Sequence, residues 1–535
     1  MWPGLLWLNS VGVWSQRLSL YGGSENWIPA LSSDVDAFVL AQRAASTKRL
    51  VANIEPNGAV AASPSRVDPN YAYHWVRDAA TTMREVVSQF SHCSPCNASL
   101  YSQLELLLWQ NAAFEKGIQN RPNPSDALGA RLGEPKFNLD GSAFNEPWGR
   151  PQNDGPALRA ATHSAFALAF LDQGGNVDRV ITDLYAPEVP ARSLIKADLE
   201  YVAHSWESAQ SVELWEEVRG THYHTRIVQA AALFSGARIA SRLNDPFAAR
   251  FYNATAHTIL DALQSHWNQT GGYISASLDV ASGPPSKTSY LDVSVLLGAL
   301  HVRHDLPAGI TRGLHSWDGP HVLLTALQLA KRMRELYGIN AVVSDSQSRL
   351  LAPAIGRYTE DTYDGYSTDS RGNPWFLATL AYAEYAFALT EVWCREGRWG
   401  SIQFRDEATA SLMARALHWV VQGGLLGEPE PHGFSPEFPS NMTGWSYRES
   451  PRFFASVIGN LTLAGDAFVR RVMQHVPQRD VGMSGHRLGS LSEQFNRDTG
   501  FMQGAEELTW SHASFLGMAR QRNAALGICN SVNSK

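Results

Sequence analysis

The sequence predicts an all-α protein in which about a dozen helices form one large domain. Apolar side chains recur at helical spacing through most of the chain, whereas the alternation typical of strands is scarce. Helix-start signals stand beside these stripes, as at Asn373-Pro374 and Ser450-Pro451. No tract rich in proline, serine or threonine indicates an interdomain linker. Because so many helices must bury their apolar faces against each other, a closed double ring of helical hairpins is one architecture that fits the pattern.

Individual stripes locate the helices. Between residues 75 and 90 one helical face is apolar, at Trp75, Ala79, Met83, Val86, Val87 and Phe90. Residues 375–389 are apolar nearly all round, which is typical of a helix buried on several sides. Similar tracts predict helices that begin near residues 34, 75, 100, 156, 195, 222, 245, 289, 318, 373, 405, 451 and 503. Long connections are expected to carry function, and here they are residues 116–155, 340–372, 424–450 and 476–502.

Composition excludes some classes of protein. The chain has 535 residues, a formal net charge of -7 and only 18% charged residues. The sequence lacks the basic stripe that is typical of a nucleic-acid-binding protein. It also lacks the run of about 20 apolar residues that would predict a transmembrane helix. The 17 tryptophans and 17 tyrosines suit a neutral ligand that stacks on aromatic rings, such as a sugar. Filling a large core is the default use of the same residues.

The N-terminus and the glycosylation acceptors bear on compartment. Residues 1–33 are apolar but lack a basic start and a clear cleavage site, so they form an N-terminal extension that is at most a weak signal or anchor segment. Acceptor triplets favour a secreted, secretory-pathway or vacuolar protein, and they stand at Asn97, Asn253, Asn268, Asn441 and Asn460.

The chain has four cysteines, Cys93, Cys96, Cys394 and Cys529. Cys93 and Cys96 have the C-x-x-C spacing, but a zinc site would need a second pair. We therefore expect a small loop disulfide there, or two inert thiols.

Polar and aromatic residues cluster at Tyr71–Asp78, YAYHWVRD. Arginine and aspartate in this cluster offer the paired hydrogen bonds that neighbouring hydroxyls of a sugar require. An ordinary helix N-terminus with a surface ion pair would show the same residues. A second cluster, residues 132–156, is a loop punctuated by glycine and proline that carries Trp148, either as a binding platform or as a core residue.

Two further clusters contribute carboxylates. In VELWEEV, Glu213, Glu216 and Glu217 stand beside Trp215. Mutual repulsion and partial burial would raise the pKa of at least one of them, which suits a general acid. The alternative is that these glutamates form a solvated acidic helix start, which the helix dipole would stabilise. In GSLSEQF, Glu493 is the single carboxylate of a polar loop.

Together these segments resemble the glucoamylases of glycoside hydrolase family 15, from about residue 34 to residue 522. The motifs occur in the family's order, and they are YAYHWVRDAA, LGEPKFNLDGSAF with WGRPQNDGPALRA, LWEEV, GRYTEDTYDG with GNPWFLATLA, and GSLSEQF with LTWSHASFL. The resemblance implies an (α/α)6 barrel of six inner and six outer helices, with the site in loops at one end. It also implies that residues 34–535 are the catalytic domain and that no separate starch-binding domain is present.

The resemblance implies roles for individual residues. By motif position Glu216 is the general acid and Glu493 the general base, and Glu217 binds substrate in the adjacent subsite. No cofactor or metal is implied. The remaining substrate-binding residues that the motifs imply are Tyr71, Trp75, Arg77, Asp78, Trp148, Leu214, Arg357 and Asp361.

The activity implied is that of an exo-acting, inverting hydrolase. It would release β-D-glucose from the non-reducing ends of α-1,4-glucans such as starch and maltooligosaccharides, and cleave α-1,6 links more slowly. The α-glucan is the expected partner of a monomeric enzyme. Two alternatives remain open, a related exo-hydrolase with trehalase-like or dextran-cleaving preference, and a non-catalytic glucan-binding regulator on the same fold.

The chain departs from the family pattern at several positions. Glu213 stands where the family usually has aspartate, Phe144 replaces a usual tyrosine, and Pro147 replaces a small polar residue. Residues 366–371, YSTDSR, are an insertion. These departures leave the reaction type unchanged and leave substrate preference open.

Overall fold

The computed structural model describes residues 32–93, 98–207, 211–307, 316–397, 407–431, 451–477 and 487–533. Within these ranges the chain forms 14 α-helices and nine strands of two to six residues. The helices are α1 Ser33–Ala52, α2 Val76–Ser91, α3 Ala98–Gln119, α4 Asp154–Asp172, α5 Val177–Asp183, α6 Leu194–Ser205, α7 Tyr223–Arg242, α8 Pro246–Ala262, α9 Ser294–Val302, α10 Pro320–Leu336, α11 Phe376–Glu396, α12 Glu407–Val421, α13 Pro451–His475 and α14 Thr509–Asn533. The strands are β1 His74–Trp75, β2 Lys136–Phe137, β3 Ser211–Val212, β4 Arg219–His222, β5 Trp267–Asn268, β6 Tyr273–Ile274, β7 Ser277–Ser282, β8 Gln494–Phe495 and β9 Met502–Gln503.

Six helices close into an inner ring. Following the chain, α2 packs against α4, α4 against α7, α7 against α9, α9 against α11, and α11 against α14, and α14 returns to α2. Outer helices cover this ring: α1 packs on α14, α3 on α2, α6 on α4 and α7, α8 on α7, α10 on α9, and α13 on α11. This arrangement is the expected (α/α)6 barrel. No helix within the described residues has the length and apolarity needed to cross a membrane.

The predicted helix starts are confirmed. The largest discrepancy is at the last helix, which was expected near residue 503 and begins at Thr509. The stripe of residues 75–90 is helix α2, with Ala79, Met83 and Phe90 buried. Helix α5 was not predicted, because it has only seven residues and buries only Val180, so it shows no apolar stripe.

The start signal at Asn373-Pro374 was interpreted wrongly. The N-cap residue is Trp375, in extended conformation, and the helix begins at Phe376. The Asn373 amide donates to the carbonyl of Asp364 and to Gln494 Oε1, both at 3.1 Å, so it braces two loops instead of capping α11. Pro451 does begin α13, and Ser450 lies outside the described residues.

A disulfide between Cys394 and Cys529 joins α11 to α14 across 135 residues of sequence. The sequence did not predict this pairing. Cys93 is also disulfide-bonded, which rules out the alternative of an inert thiol at that position. Cys96 lies outside the described residues.

The core contains a buried ionic cluster on α4. The Arg159 guanidinium donates to both carboxylate oxygens of Asp198 at 2.7 Å and to Glu115 at 3.1 Å. All three side chains are at most 2% exposed. Removal of the cation leaves the buried Asp198 carboxylate without its counter-ion and leaves Glu115 with His74 at 3.1 Å as its remaining partner in the cluster.

We predict that Arg159→Met lowers the free energy of unfolding by about 3–5 kcal/mol, the usual cost of breaking a buried ion pair. Denaturant unfolding followed by circular dichroism measures the change. Arg131→Ala is the matched control, because Arg131 is 49% exposed in its pair with Asp126, and an exposed pair contributes about 1 kcal/mol or less. Equal losses in the two variants would contradict the prediction.

Candidate active site

Residues just before the inner helices gather at one end of the barrel. Trp75, immediately before α2, donates Nε1 to Glu216 Oε1 at 2.8 Å. Gln152, two residues before α4, donates Nε2 to the same oxygen at 2.9 Å. Asp292, two residues before α9, accepts Trp215 Nε1 at 2.9 Å. These helices therefore direct their N-termini, which carry positive partial charge, towards one site.

The segment that carries the candidate acid is a tight turn between β3 and β4, and not the helix start considered from the sequence. The buried Glu213 carboxylate accepts the backbone N–H of Trp215, of Glu217 at 3.1 Å and of Val218 at 2.9 Å. Glu216, inside this turn, has a left-handed backbone with φ of 70°. Such a conformation costs about 1–3 kcal/mol in a residue with a side chain. The hydrogen bonds to Glu213 hold the turn in this conformation.

Glu216 makes its contacts through one oxygen. Oε1 accepts the hydrogen bonds of Trp75 and Gln152, and Arg77 NH2 lies 3.7 Å from it. Oε2 makes no hydrogen bond with the residues that the structure describes. Because the side chain is 20% exposed, this second oxygen is the one that can carry a proton towards a ligand.

Glu217 points to a different set of partners. It receives a hydrogen bond from the Tyr358 hydroxyl at 2.6 Å and an ion pair from Arg357 NH2 at 2.7 Å. Arg357 is buried and also forms a two-pronged pair with Asp361, at 2.8 and 2.5 Å. A guanidinium held in this way by two carboxylates is fixed in position.

Glu493 lies opposite, 1% exposed. The Tyr71 hydroxyl donates to its Oε1 at 3.0 Å, and the Tyr363 hydroxyl lies 3.4 Å from Oε2. Burial raises the pKa of Glu493 to about 8, although the Tyr71 hydroxyl and Arg357 both lower it. A Cβ atom at Gly504 would lie 2.3 Å from Oε2, so only glycine leaves room for the carboxyl there.

An aromatic wall connects the two carboxyl groups. Tyr71, bonded to Glu493, has its ring centroid 5.5 Å from that of Trp75, which is bonded to Glu216. Trp148 extends the wall, 6.0 Å from Trp75, and is 37% exposed at its rim. Glu216 and Glu493 therefore belong to one site.

Arg77 and Asp78 complete this side of the site. Arg77 donates to Gln152 at 2.8 Å and to Asp154 at 3.2 Å, and its Nε lies 3.6 Å from Asp78. Burial raises the pKa of Asp78 to about 6, Arg77 lowers it, and Glu216 raises it further. The surface ion pair considered from the sequence is thus a buried network.

Comparison with known proteins shows the family to which the chain belongs. The sequence model of glycosyl hydrolases family 15 matches residues 39–520. The chain is 35% identical over 470 residues to the glucoamylase of Blastobotrys adeninivorans, covering 87% of this chain and 67% of that protein. It is 33% identical over 494 residues to glucoamylase 1 of Rhizopus oryzae, covering 91% and 71%. The chain belongs to glycosyl hydrolases family 15.

Solved structures of the family share the fold. Superposition on the glucoamylase of Saccharomycopsis fibuligera gives a TM-score of 0.74 at 28% identity, covering 94% of this chain and 100% of that one. The family 15 glucoamylase of Hypocrea jecorina gives 0.71 at 28% identity, covering 91% and 72%. This chain is accordingly a glycoside hydrolase.

Most residues predicted for the site of this family 15 hydrolase lie together in the structure. Leu214 lies in the same turn as Glu213 and Glu216, and its side chain is buried in the main hydrophobic core, 4% exposed. Two aromatic residues of the family motifs, Trp375 and Trp510, lie in different places. Trp375 lines the site, 5.5 Å from the Trp215 ring, whereas Trp510 lies deeper in the barrel, 6.0 Å from the His301 ring. Of the three carboxylates in VELWEEV, Glu213 has the raised pKa, about 7, chiefly through burial.

Sequence analysis missed Lys136, a buried lysine inside the aromatic wall. Its Nζ lies within 3.7–4.3 Å of four ring centroids, those of Tyr73, Trp75, Phe144 and Trp148. The pairing of β1 with β2 places it opposite Trp75. Burial lowers the pKa of Lys136 to about 8, while Glu216 raises it. Its position in the motif LGEPKFN was a signal, but only the strand pairing identifies its neighbours.

Gln152, Tyr358 and Tyr363 were also missed. Each donates to, or lies beside, one of the carboxylates described above. All three stand inside the family motifs. An uncharged hydrogen-bond donor gives no signal in a sequence until its partner is known.

The raised pKa of Glu493 predicts that the difference in stability between the native chain and a Glu493→Gln variant depends on pH. The unfolded carboxyl, with an ordinary pKa of 4.5, ionises well before the folded one, whose pKa is about 8. The folded state therefore loses stability as pH rises from about 4.5 to about 8. We predict that Glu493→Gln, which is neutral throughout, melts higher than the native chain, by a margin that grows with pH and levels off above about pH 8.

Differential scanning calorimetry of both proteins between pH 5 and pH 9 measures this margin. A margin that is constant with pH, or that shrinks as pH rises, would show that Glu493 is ionised in the folded protein at neutral pH.

Proposed function

We propose that this family 15 hydrolase is a glucoamylase that releases β-D-glucose from the non-reducing ends of α-1,4-glucans by inversion. The named relatives are glucoamylases. The observation that carries the proposal is the pair Glu216 and Glu493, which one aromatic wall holds in a single site but in different surroundings. Inverting hydrolysis requires two carboxyl groups with different tasks, one to protonate the leaving oxygen and one to activate water.

Glu216 is the proposed general acid. Its Oε1 is held by two N–H donors, so the carboxyl plane is fixed while Oε2 remains able to carry the proton. The strained turn, held by Glu213, directs the side chain out of the backbone towards the site. Proton donation to the glycosidic oxygen contributes about 10²–10⁴-fold to the rate of such reactions.

Glu493 is the proposed general base, and its raised pKa bears on this role. Below about pH 8 the free protein holds the carboxyl protonated, whereas a base must be ionised. Positive charge develops on the sugar ring in the transition state, and a nearby positive charge stabilises a carboxylate. Tyr71 and Tyr363 are placed to donate to the resulting anion. In the proposed mechanism Glu493 therefore reacts in the form that has released its proton to solvent, and the charge that develops on the sugar stabilises this anion in the transition state.

The remaining polar groups suit a terminal glucose. Arg357 and Asp361 on one side, and Arg77 and Asp78 on the other, present fixed donors and acceptors for neighbouring hydroxyls. The rings of the wall offer a stacking surface for the apolar face of the sugar. Glu217, fixed by Arg357 and Tyr358, would bind the next sugar.

One observation favours a second assignment of the acid and the base for the same reaction. Burial raises the pKa of Glu493 to about 8, and a general acid must hold its proton until it donates it. On this observation alone Glu493 would be the acid and Glu216 the base. The two assignments differ in how the variants respond to a good leaving group.

We predict that Glu216→Gln loses nearly all turnover of maltose, about 10²-fold or more, but retains turnover of α-D-glucosyl fluoride. Fluoride leaves with little help from an acid, so only the acid variant is rescued. Glu493→Gln should lose both activities. Steady-state kinetics of the purified variants on both substrates measures the difference.

Glu217→Gln is the control for the neighbouring carboxylate and should raise KM more than it lowers kcat. Rescue of Glu493→Gln by the fluoride substrate, and not of Glu216→Gln, would establish the reversed assignment. A Glu216→Gln variant that retains more than about a tenth of native turnover on maltose would make Glu217 the candidate acid.

We also predict that the first product of maltooligosaccharide hydrolysis is β-glucose. Water activated by Glu493 attacks the face opposite the α-linked leaving group. Proton NMR of the anomeric signals in the first minutes, before mutarotation, gives the configuration. Initial α-glucose would indicate a retaining enzyme, with Glu493 as nucleophile. Parallel assays on isomaltose and trehalose separate the alternative linkage preferences.

For the compartment, we propose a secretory route. The disulfide between Cys394 and Cys529 is typical of an oxidising compartment. Among the acceptor triplets, Asn253 is exposed on α8, whereas Asn97 and Asn441 lie outside the described residues. Mobility of the secreted protein on gels before and after endoglycosidase treatment tests the route.

A further inference from the structure

We infer that Lys287 is a positioning residue for the Glu216 turn, and that it acts through Asp292, which holds Trp215 beside Glu216. Lys287 lies in the loop between β7 and α9, outside every motif considered above. The inference rests on the proposed role of Glu216 as acid, and the experiment below separates a failure of one from a failure of the other.

Lys287 is buried at a place where a charged side chain needs partners. It is 2% exposed. Its Nζ lies 3.0 Å from Asp292 Oδ2 and 3.7 Å from the ring centroid of Tyr358. Burial lowers the pKa of Lys287, but Asp292, Glu213 and Glu217 together hold it above its ordinary value. The ammonium is therefore charged, and three carboxylates of the site share it.

Two of these carboxylates accept hydrogen bonds from Trp215, the residue before the candidate acid. Glu213 accepts its backbone N–H, and Asp292 accepts its indole Nε1 at 2.9 Å. Both carboxylates are at most 3% exposed. Without the Lys287 ammonium the buried Asp292 carboxylate would lose its ion-pair partner, and it would take up a proton or move away from the Trp215 indole.

The third carboxylate, Glu217, depends on Lys287 less directly. It has its own cation in Arg357 at 2.7 Å, so charge balance there does not require the lysine. Its hydrogen bond from Tyr358, however, comes from the ring on which Lys287 stacks. Lys287 thus contacts Asp292, which accepts the Trp215 indole N–H, and Tyr358, which donates to Glu217.

The consequence concerns the direction of Glu216. The acid sits in a left-handed backbone conformation that is held by the hydrogen bonds to Glu213. Trp215 lies between Glu213 and Glu216 in this turn, so displacement of Asp292 from its indole lets the turn relax, and Glu216 loses its aim at the glycosidic oxygen. Misplacement of a reacting group by about 1 Å can cost 10²-fold in rate.

The test compares Lys287→Met with the double variant Lys287→Met/Asp292→Asn. Methionine keeps length and apolar bulk but removes the charge. Asparagine then restores the charge balance and keeps Oδ1, which accepts Trp215 Nε1 at 2.9 Å and Ser294 N–H at 2.8 Å. We expect Lys287→Met to lower kcat on maltose by about tenfold to a hundredfold, with KM changed by less than about twofold. The double variant should recover at least about half of this loss on a logarithmic scale.

The substrate α-D-glucosyl fluoride provides the second readout. Because its leaving group needs little protonation, Lys287→Met should turn it over at nearly the native rate if the lysine acts through the acid. Lys196→Met is the matched control. Lys196 is equally buried and paired with Asp245 at 2.6 Å, but its partners are not part of the turn. It should lower the melting temperature and leave kcat unchanged.

The outcomes are distinct. A Lys287→Met variant with native kcat overturns the inference, as does a double variant no better than the single one, since packing alone would then explain the loss. If Lys287→Met does not fold, a double variant that folds and turns over maltose supports the charge role, and one that also fails to fold overturns it. If Glu216→Gln is itself active on maltose, the proposed acid is wrong, whatever the lysine variants show.

Discussion

Closure of the inner ring of helices is the constraint on which the rest of the structure depends. The last helix, α14, must pack against both α11 and α2. Thr509 at its start donates its backbone N–H to the carbonyl of Ala62 at 2.8 Å, across most of the chain. Only this closure brings the loop of Glu493 beside Tyr71, 422 residues away in sequence. Because the inner helices direct their N-termini to one end, the loops before them form the site and the outer helices stabilise it from behind.

Burial at this end gives the carboxyl groups different properties. Desolvation raises the pKa of Glu493, Asp78 and Glu213, each opposed by a neighbouring cation or hydroxyl. Glu216 is more exposed and is held instead by two neutral N–H donors. Two glutamates in one small volume thus have different solvation and different hydrogen-bond partners, because the protein determines what surrounds each of them. Arginine and lysine beneath the site compensate the accumulated negative charge.

The positions that the sequence motifs mark as departures from the family pattern differ in their burial and in their contacts. Phe144 remains in the aromatic wall, with its ring centroid 4.0 Å from Lys136 Nζ, so the stacking face is kept and only a hydroxyl is absent. Pro147 and the insertion at residues 366–371 are exposed, on the outside of the site. Glu213 is the departure with the deepest contacts, since its carboxylate accepts three backbone N–H groups of the turn that carries Glu216.

The local sequence pattern was sufficient to predict the helices other than the short α5, because an apolar stripe and a helix-start signal both lie within some twenty residues. Most residues that the family motifs predicted for the site, including Glu216 and Glu493, also lie together in the structure. What the sequence could not determine were relations between distant segments. The turn at Glu216, the partners of Lys136 and Lys287, and the disulfide of Cys394 with Cys529 exist only after the ring has closed. The pKa values follow the same rule, because desolvation by the surrounding elements is their largest cause, and burial is a property of the tertiary structure alone.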